Sequence, residues 1–283
     1  MPWATAQNRT GRVSPQAKGG VGCEKTQLDA SPVARRSGGV ACGQFVPDLM
    51  APWDGDEEIG GVTLRQQQPR STPTTPQSGV LAIDTLDKVV VYTPHFSRID
   101  LVCATAPSED DPEIILAAEA AFTGTVYEGE NFSHQNIASD HVSGGTYYQG
   151  HACADITGAF VWEKEGWRFV QHDAKVSMAG AADHQGAAFS QVLFIHRGER
   201  VHCNIAATQV FRALCKRHGQ LSVVESRGKM RFFDFVLYLL AHDVVEALYL
   251  DSGKAFAHDN TGSLLRLATN CRSHATNWLV FYR

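Results

Sequence analysis

The sequence predicts an α/β domain of mixed α+β type over residues 81–283, strand-rich, with helices packed on a central mixed β-sheet. Three observations predict it. Apolar runs rich in β-branched residues recur through the region, "KVVVYTPHF" at 88–96 and "RIDLVCATA" at 98–106 among them. One segment, "MRFFDFVLYLLAHD" at 230–243, places Phe232, Phe235, Val236, Leu239 and Leu240 at helical spacing. Two strand-like runs, "QLSVVES" and "EALYLDSG", flank that helix and complete a β-α-β unit.

Taken in order, residues 1–80 differ from the rest, being rich in Gly, Pro, Ser, Thr, Gln and Arg and ending in "RQQQPRSTPTTPQSG". Such a composition buries too little apolar surface to offset the entropy of ordering, so a disordered leader is expected. After the first two strands, "SEDDPEI" sets acids before Pro112 and suits the first turn of a short helix. "ILAAEAAFTG" stays open: its alanines favour helix, its short length a buried strand. "GAFVWEKEGWRFVQH" alternates on both sides of a polar turn at Lys164–Gly166 and predicts a hairpin. "AFSQVLFIHRGERV" repeats that pattern about Arg197–Gly198, and the closing "TNWLVFYR" is a further strand.

Composition narrows the function classes. A net charge of −5 and a pI near 6.2 give no basic face for nucleic acid. No apolar run has the length of a membrane span. The seven cysteines (23, 42, 103, 153, 203, 215 and 271) are widely spaced with no C-x-x-C pair, so most are expected to be small buried hydrophobes. The opening "MPWATAQNRTGRVSPQAKGG" has no apolar core of the kind a signal peptide carries.

Two polar features suggest chemistry. "EALYLDSG" ends an apolar strand on Asp251, which serves either a turn or the delivery of a carboxylate to a site at the strand's carboxyl end. "ENFSHQNIASDHVSGG", residues 130–145, gathers Asn131, His134, Gln135, Asn136, Asp140 and His141 before Gly144–Gly145. Long polar loops in compact domains are often functional. His134, His141 and Asp140 are chemically able to hold a divalent ion, but H-E-x-x-H is absent and no metal or other cofactor is predicted. The nucleophile elbow G-x-S-x-G is absent too.

Several segments in order, "AEAAFTG", "IASDHVSGGTYYQG", "GAFVWEKEGWRF", "AFSQVLFIHRGE", "RALCKRHGQLSVVES", "DFVLYLLAHDVVEALYLDSG" and "TNWLVFYR", resemble the phosphodiester glycosidase family. That family is related to the lysosomal enzyme that removes N-acetylglucosamine from a phosphodiester, and the likeness is to its bacterial, Bacteroides-type branch. The resemblance covers about residues 95–283. It implies hydrolysis of an N-acetylglucosamine-like sugar-1-phosphodiester at the glycosidic bond, with an oxocarbenium-like transition state that calls for carboxylates. Relatives in that family are usually exported, whereas this start carries no export signal, so the sequence leaves the location open.

Matched to the family's motifs, the signature Arg falls on Arg212 and the Leu-Asp-Gly-Gly loop on Leu250–Asp251–Ser252–Gly253. The Asn-Gly-Gly-Phe element falls on Glu119–Ala120–Ala121–Phe122. Here Glu119 replaces the family's Asn, Ser252 its first Gly, and Lys254–Ala255 its Gly-Ser. Asp251 is the expected catalytic carboxylate, with Glu119 or Glu225 as the second. His134 and His141 are expected proton donors, and Arg212 the phosphate partner through its two-pronged guanidinium. Asn136, Asp140, Gly144, Gly145, Ser252 and Gly253 complete the expected substrate contacts. The competing expectation is a non-catalytic module for carbohydrate or exopolysaccharide, with Tyr147, Tyr148 and Trp162 stacking on sugar rings. An envelope or structural protein without a small ligand is a third.

Overall fold

The computed structural model describes residues 78–123, 133–150, 156–268 and 276–283. Nearly all of the expected leader falls outside them, as do Cys23, Cys42, Cys153 and Cys271. Among the described residues are nineteen strands, numbered along the chain, and two α-helices.

The first large sheet runs in the order β1 (Val80–Thr85), β2 (Val89–His95), β14 (Gln220–Ser226), β13 (Arg212–Arg217), β16 (Val244–Leu250), β10 (Leu193–His196) and β11 (Glu199–Arg200). A second orders β18 (Leu264–Arg266), β17 (Ala255–His258), β4 (Ile114–Glu119), β19 (Asn277–Tyr282) and β3 (Arg98–Cys103). A third orders β6 (Thr146–Tyr148), β5 (His141–Ser143), β9 (Ala187–Gln191), β7 (Gly158–Glu163) and β8 (Gly166–Val170). β12 (Thr208–Gln209) and β15 (Met230–Arg231) form a separate pair.

The expected helix-packed α/β class is therefore wrong: the fold is mostly β, and its described neighbours pair antiparallel throughout. The physical reason lies in the turns. Gly144–Gly145, Arg197–Gly198 and His218–Gly219 each close a two-residue hairpin with both central residues at positive φ. Such turns match the twist of antiparallel strands and need no crossover helix. The β-α-β reading overlooked β13, which lies between β14 and β16 and runs against both. "SEDDPEI" forms turns that lead into β4 rather than a helix, and "ILAAEAAFTG" holds most of β4, buried along its whole length.

A core built from all three sheets, with Leu116, Phe160, Phe189, Leu214, Val223 and Leu248 among its members, fills the space between them. The opposite face of the first sheet is covered by α2 (Phe232–Leu240) through Phe232, Phe235, Val236 and Leu239, on the predicted helical face. Each such side chain contributes on the order of 2 kcal/mol by leaving water. A second helix, α1 (Ala174–Asp183), covers the outer face of the third sheet with Met178 and Ala181.

Candidate functional site

β16 belongs to the first sheet and β17 to the second, and the chain passes between them through Asp251–Lys254. Next to this connection β4 ends at Glu119. Backbone bonds lace the two together: Glu119 N–H donates to the Lys254 carbonyl at 3.0 Å and Asp251 N–H to the Ala120 carbonyl at 3.0 Å. Asn277, at the start of β19, pins the segment after β4 by accepting from Ala121 N–H at 2.8 Å and donating to the Ala121 carbonyl at 3.0 Å.

Two carboxyl groups, each 2–3% exposed, meet here around Thr123. Its hydroxyl donates to Glu119 Oε1 at 2.8 Å and its N–H lies 3.5 Å from Asp251 Oδ2. Gly253 makes the approach possible, because a Cβ there would stand 1.4 Å from Glu119 Oε2. Burial pushes the Glu119 carboxyl far above the ordinary range, and the neighbouring Asp251 charge pushes it further. Burial also raises Asp251, against the Thr123 N–H and the Arg212 charge, which favour its anion. The pair thus retains a proton near neutral pH, held by the two coupled acids together.

This has a consequence for stability. In the unfolded chain both acids ionise near pH ~4, while the folded pair keeps its proton past neutrality. Between those limits the unfolded state binds fewer protons, so stability falls as pH rises. Denaturant midpoints for the wild type are expected to drop between pH 5 and pH 8 by an equivalent on the order of 2 kcal/mol. Glu119→Gln, which cannot ionise, is expected to flatten that slope.

Arg212 is fully buried, and its placement differs from that of a free phosphate partner. The antiparallel register sets it beside Glu225 on one side and Leu250 on the other. Nε and Nη2 donate to Glu225 Oε2 at 2.9 and 2.6 Å. Nη1 donates to the carbonyls of Asp251 at 3.3 Å and Gly253 at 2.9 Å, and Nη2 also donates to that of Ala268. All five guanidinium hydrogens thus have protein acceptors. Glu225 is accordingly the counter-ion of Arg212, and its other oxygen accepts from Ala268 N–H at 3.0 Å. Ser252 is buried with its hydroxyl 3.2 Å from that of Tyr249.

The histidine loop is tied to the same end of the second sheet. Ala138 N–H donates to the Phe122 carbonyl at 2.8 Å, and Thr123 bridges to Ile137. His134 Nδ1 and His141 Nε2 lie 2.9 Å apart, and the Tyr148 ring stacks on His134 at 3.6 Å. Burial lowers His141 to about 4 and lowers His134 as well, so neither ring carries the charge expected of a proton donor near neutrality. Asp140 faces away from them, accepting from Tyr147 Oη at 2.8 Å and Gly150 N–H at 2.7 Å, with Lys175 at 3.7 Å. Asn136 accepts from Ser133 N–H at 2.8 Å, and Gly144 and Gly145 form the hairpin turn already described. Of the aromatics expected to stack on sugar, Trp162 instead packs edge-on to Phe96 at 5.7 Å.

Three residues at this end of the sheet escaped sequence reasoning: Thr123, Asn277 and Cys103. Cys103 ends β3 opposite Asn277, and its Sγ and ring nitrogens of His134 and His141 all lie within 4.8 Å of one another. Only the hydroxyl of Thr123, four residues after Glu119, offered a hint in the sequence.

No protein family matches the chain, and no curated protein does. Among solved structures, it is similar to the zebrafish N-acetylglucosamine-1-phosphodiester alpha-N-acetylglucosaminidase catalytic domain, auto-inhibited by its pro-peptide. The TM-score is 0.50 at 12% identity, over 72% of this chain and 81% of that one. A hypothetical protein from Synechocystis aligns at a TM-score of 0.42 and 12% identity, over 72% of this chain and 61% of that one. The zebrafish likeness establishes a distant relationship of fold.

Proposed function

We propose that this chain is a hydrolase that cleaves a sugar-1-phosphodiester at the glycosidic bond, with Asp251 and Glu119 as its working acids. The observation that carries the reading is the buried carboxyl pair on Thr123, both members raised so that the pair keeps a proton near neutral pH. Two neighbouring carboxyl groups that together hold one proton can supply the acid and the anion that glycoside hydrolysis requires. The zebrafish neighbour is by name an N-acetylglucosamine-1-phosphodiester glycosidase, which supports the substrate class.

In this mechanism the Asp251 carboxylate faces the anomeric carbon and stabilises or captures the developing cation, while Glu119 supplies the proton to the departing phosphate oxygen. A phosphate monoester leaves readily, so Asp251 carries the larger share of the barrier reduction. Arg212 acts one step removed. Its bonds to the Asp251 and Gly253 carbonyls set the backbone that carries the catalytic carboxylate. Both carboxyl groups being nearly dry, electrostatic interactions at the pair are stronger than they would be in water.

The test is release of free sugar from an N-acetylglucosamine-1-phosphodiester by the purified wild-type chain, followed across pH. The expected result is turnover with a bell-shaped profile, its acid limb set by Asp251 and its alkaline limb by Glu119. Absence of turnover on a panel of sugar phosphodiesters, by folded protein with and without added divalent ions, overturns the reading. Retained sugar binding in that case favours the non-catalytic module instead.

A further inference from the structure

A second cluster at the same end of the sheet has chemistry that hydrolysis by the acid pair does not use. Cys103, His134 and His141 come from β3, the 3-10 turn His134–Asn136 and β5. Cys103 and His134 are partly exposed while His141 is buried, so the cluster has a closed side and a side open to solvent. His141 Nδ1 lies 3.0 Å from the Ser139 carbonyl, a contact that needs the proton on Nδ1 and leaves Nε2 bare. The bare Nε2 faces His134 Nδ1 at 2.9 Å. We infer that Cys103 Sγ, His134 Nδ1 and His141 Nε2 form a site for one borderline transition-metal ion of the Zn²⁺ class, with a fourth position open to water.

The ligand types fit. One thiolate and two imidazoles suit Zn²⁺ and its neighbours, whereas Mg²⁺ and Ca²⁺ require oxygen ligands. A tetrahedral ion with Zn–N distances of about 2.0–2.1 Å holds two ligand nitrogens about 3.3 Å apart. Widening the present N···N contact by a few tenths of an ångström, with rotation of both rings, brings their lone pairs onto one ion. The ion replaces the proton now shared by the two nitrogens. That proton moves to Nε2 of His134 as its tautomer changes, and the Cys103 thiol loses its own proton to solvent. One proton is thus released per ion bound, with no change of oxidation state. The Ser139 carbonyl holds His141 in the required orientation from behind, as outer partners of metal-bound histidines do.

Titration of the reduced full chain with Co²⁺, a coloured stand-in for Zn²⁺, tests this independently of any hydrolysis. One ion per chain is expected, with a sulfur-to-cobalt charge-transfer band that stoichiometric Zn²⁺ abolishes. Cys103→Ser is expected to remove the band, and His141→Gln to weaken binding by more than ~100-fold, beyond the loss typical of an outer-shell change. His218→Gln, on a distant turn, leaves both readouts unchanged. Zn²⁺ should also raise the melting temperature of the wild type but not of Cys103→Ser, which keeps the test valid if that variant is less stable from the outset. A missing band, a band that survives Cys103→Ser, or binding unchanged in His141→Gln overturns the assignment.

Discussion

Asp251→Asn is expected to lower turnover of a sugar-1-phosphodiester by at least ~10³-fold, equivalent to about 4 kcal/mol of transition-state stabilisation. The substitution keeps the shape of the side chain and removes its charge. A neutral amide can neither capture nor offset the cation that forms as the phosphate departs. Glu119→Gln is expected to cost less, on the order of 10²-fold, because the leaving group needs modest protonation; general acid catalysis is worth about 10²–10⁴-fold where it is needed. Its more telling effect is on pH dependence: the alkaline limb, which reports ionisation of Glu119, should vanish. Initial rates across pH, on variants whose melting matches that of the wild type, check both outcomes. Asp251→Asn turning over within tenfold of the wild type would end Asp251's claim to the central role.

Loss of the buried guanidinium should be the largest stability effect. Arg212→Met strips three carbonyls, those of Asp251, Gly253 and Ala268, of a donor. It also leaves Glu225, 5% exposed, without its counter-ion. Breaking one side of a buried ion pair costs about 3–5 kcal/mol. Replacing both partners by apolar groups is far milder, so Arg212→Met with Glu225→Leu is expected to recover more than half of the loss. Recovery stays incomplete because the carbonyls remain unmet. Urea midpoints for the two single variants and the double variant decide this. A single Arg212→Met variant within about 1 kcal/mol of the wild type would show that the connection between the sheets holds without its clamp. Arg212→Lys is not a conservative control, since a point charge cannot reproduce the planar fork.

Some of this architecture was open to reading in one dimension. The face of α2 follows from apolar residues at helical spacing, and the hairpin at Arg197–Gly198 from a polar, Gly-containing break between alternating runs. The β4 segment resisted because a strand buried on both faces loses the alternation that marks strands. His218–Gly219 is the same kind of turn as Arg197–Gly198, yet without it being recognised β13 dropped out, and a strand-helix-strand run passed for a β-α-β unit of adjacent strands.

By itself, then, the sequence determined where several of the strands and the main helix lie, that Asp251 stands at the end of a strand, and which residues can carry charge or bind metal. These are local properties, set by side-chain periodicity and turn chemistry within a dozen residues. Only the tertiary structure decided who meets whom. Strand pairing put Arg212 between Glu225 and Leu250, the junction of two sheets brought Glu119 to Asp251 across 132 positions of chain, and β3 delivered Cys103 to two histidines. Arginine's charge suggested a phosphate partner; burial with five hydrogen bonds to four protein acceptors made it a clamp. The proton affinity of a carboxyl depends on the water and charge within a few ångströms, and those neighbours come from distant parts of the chain.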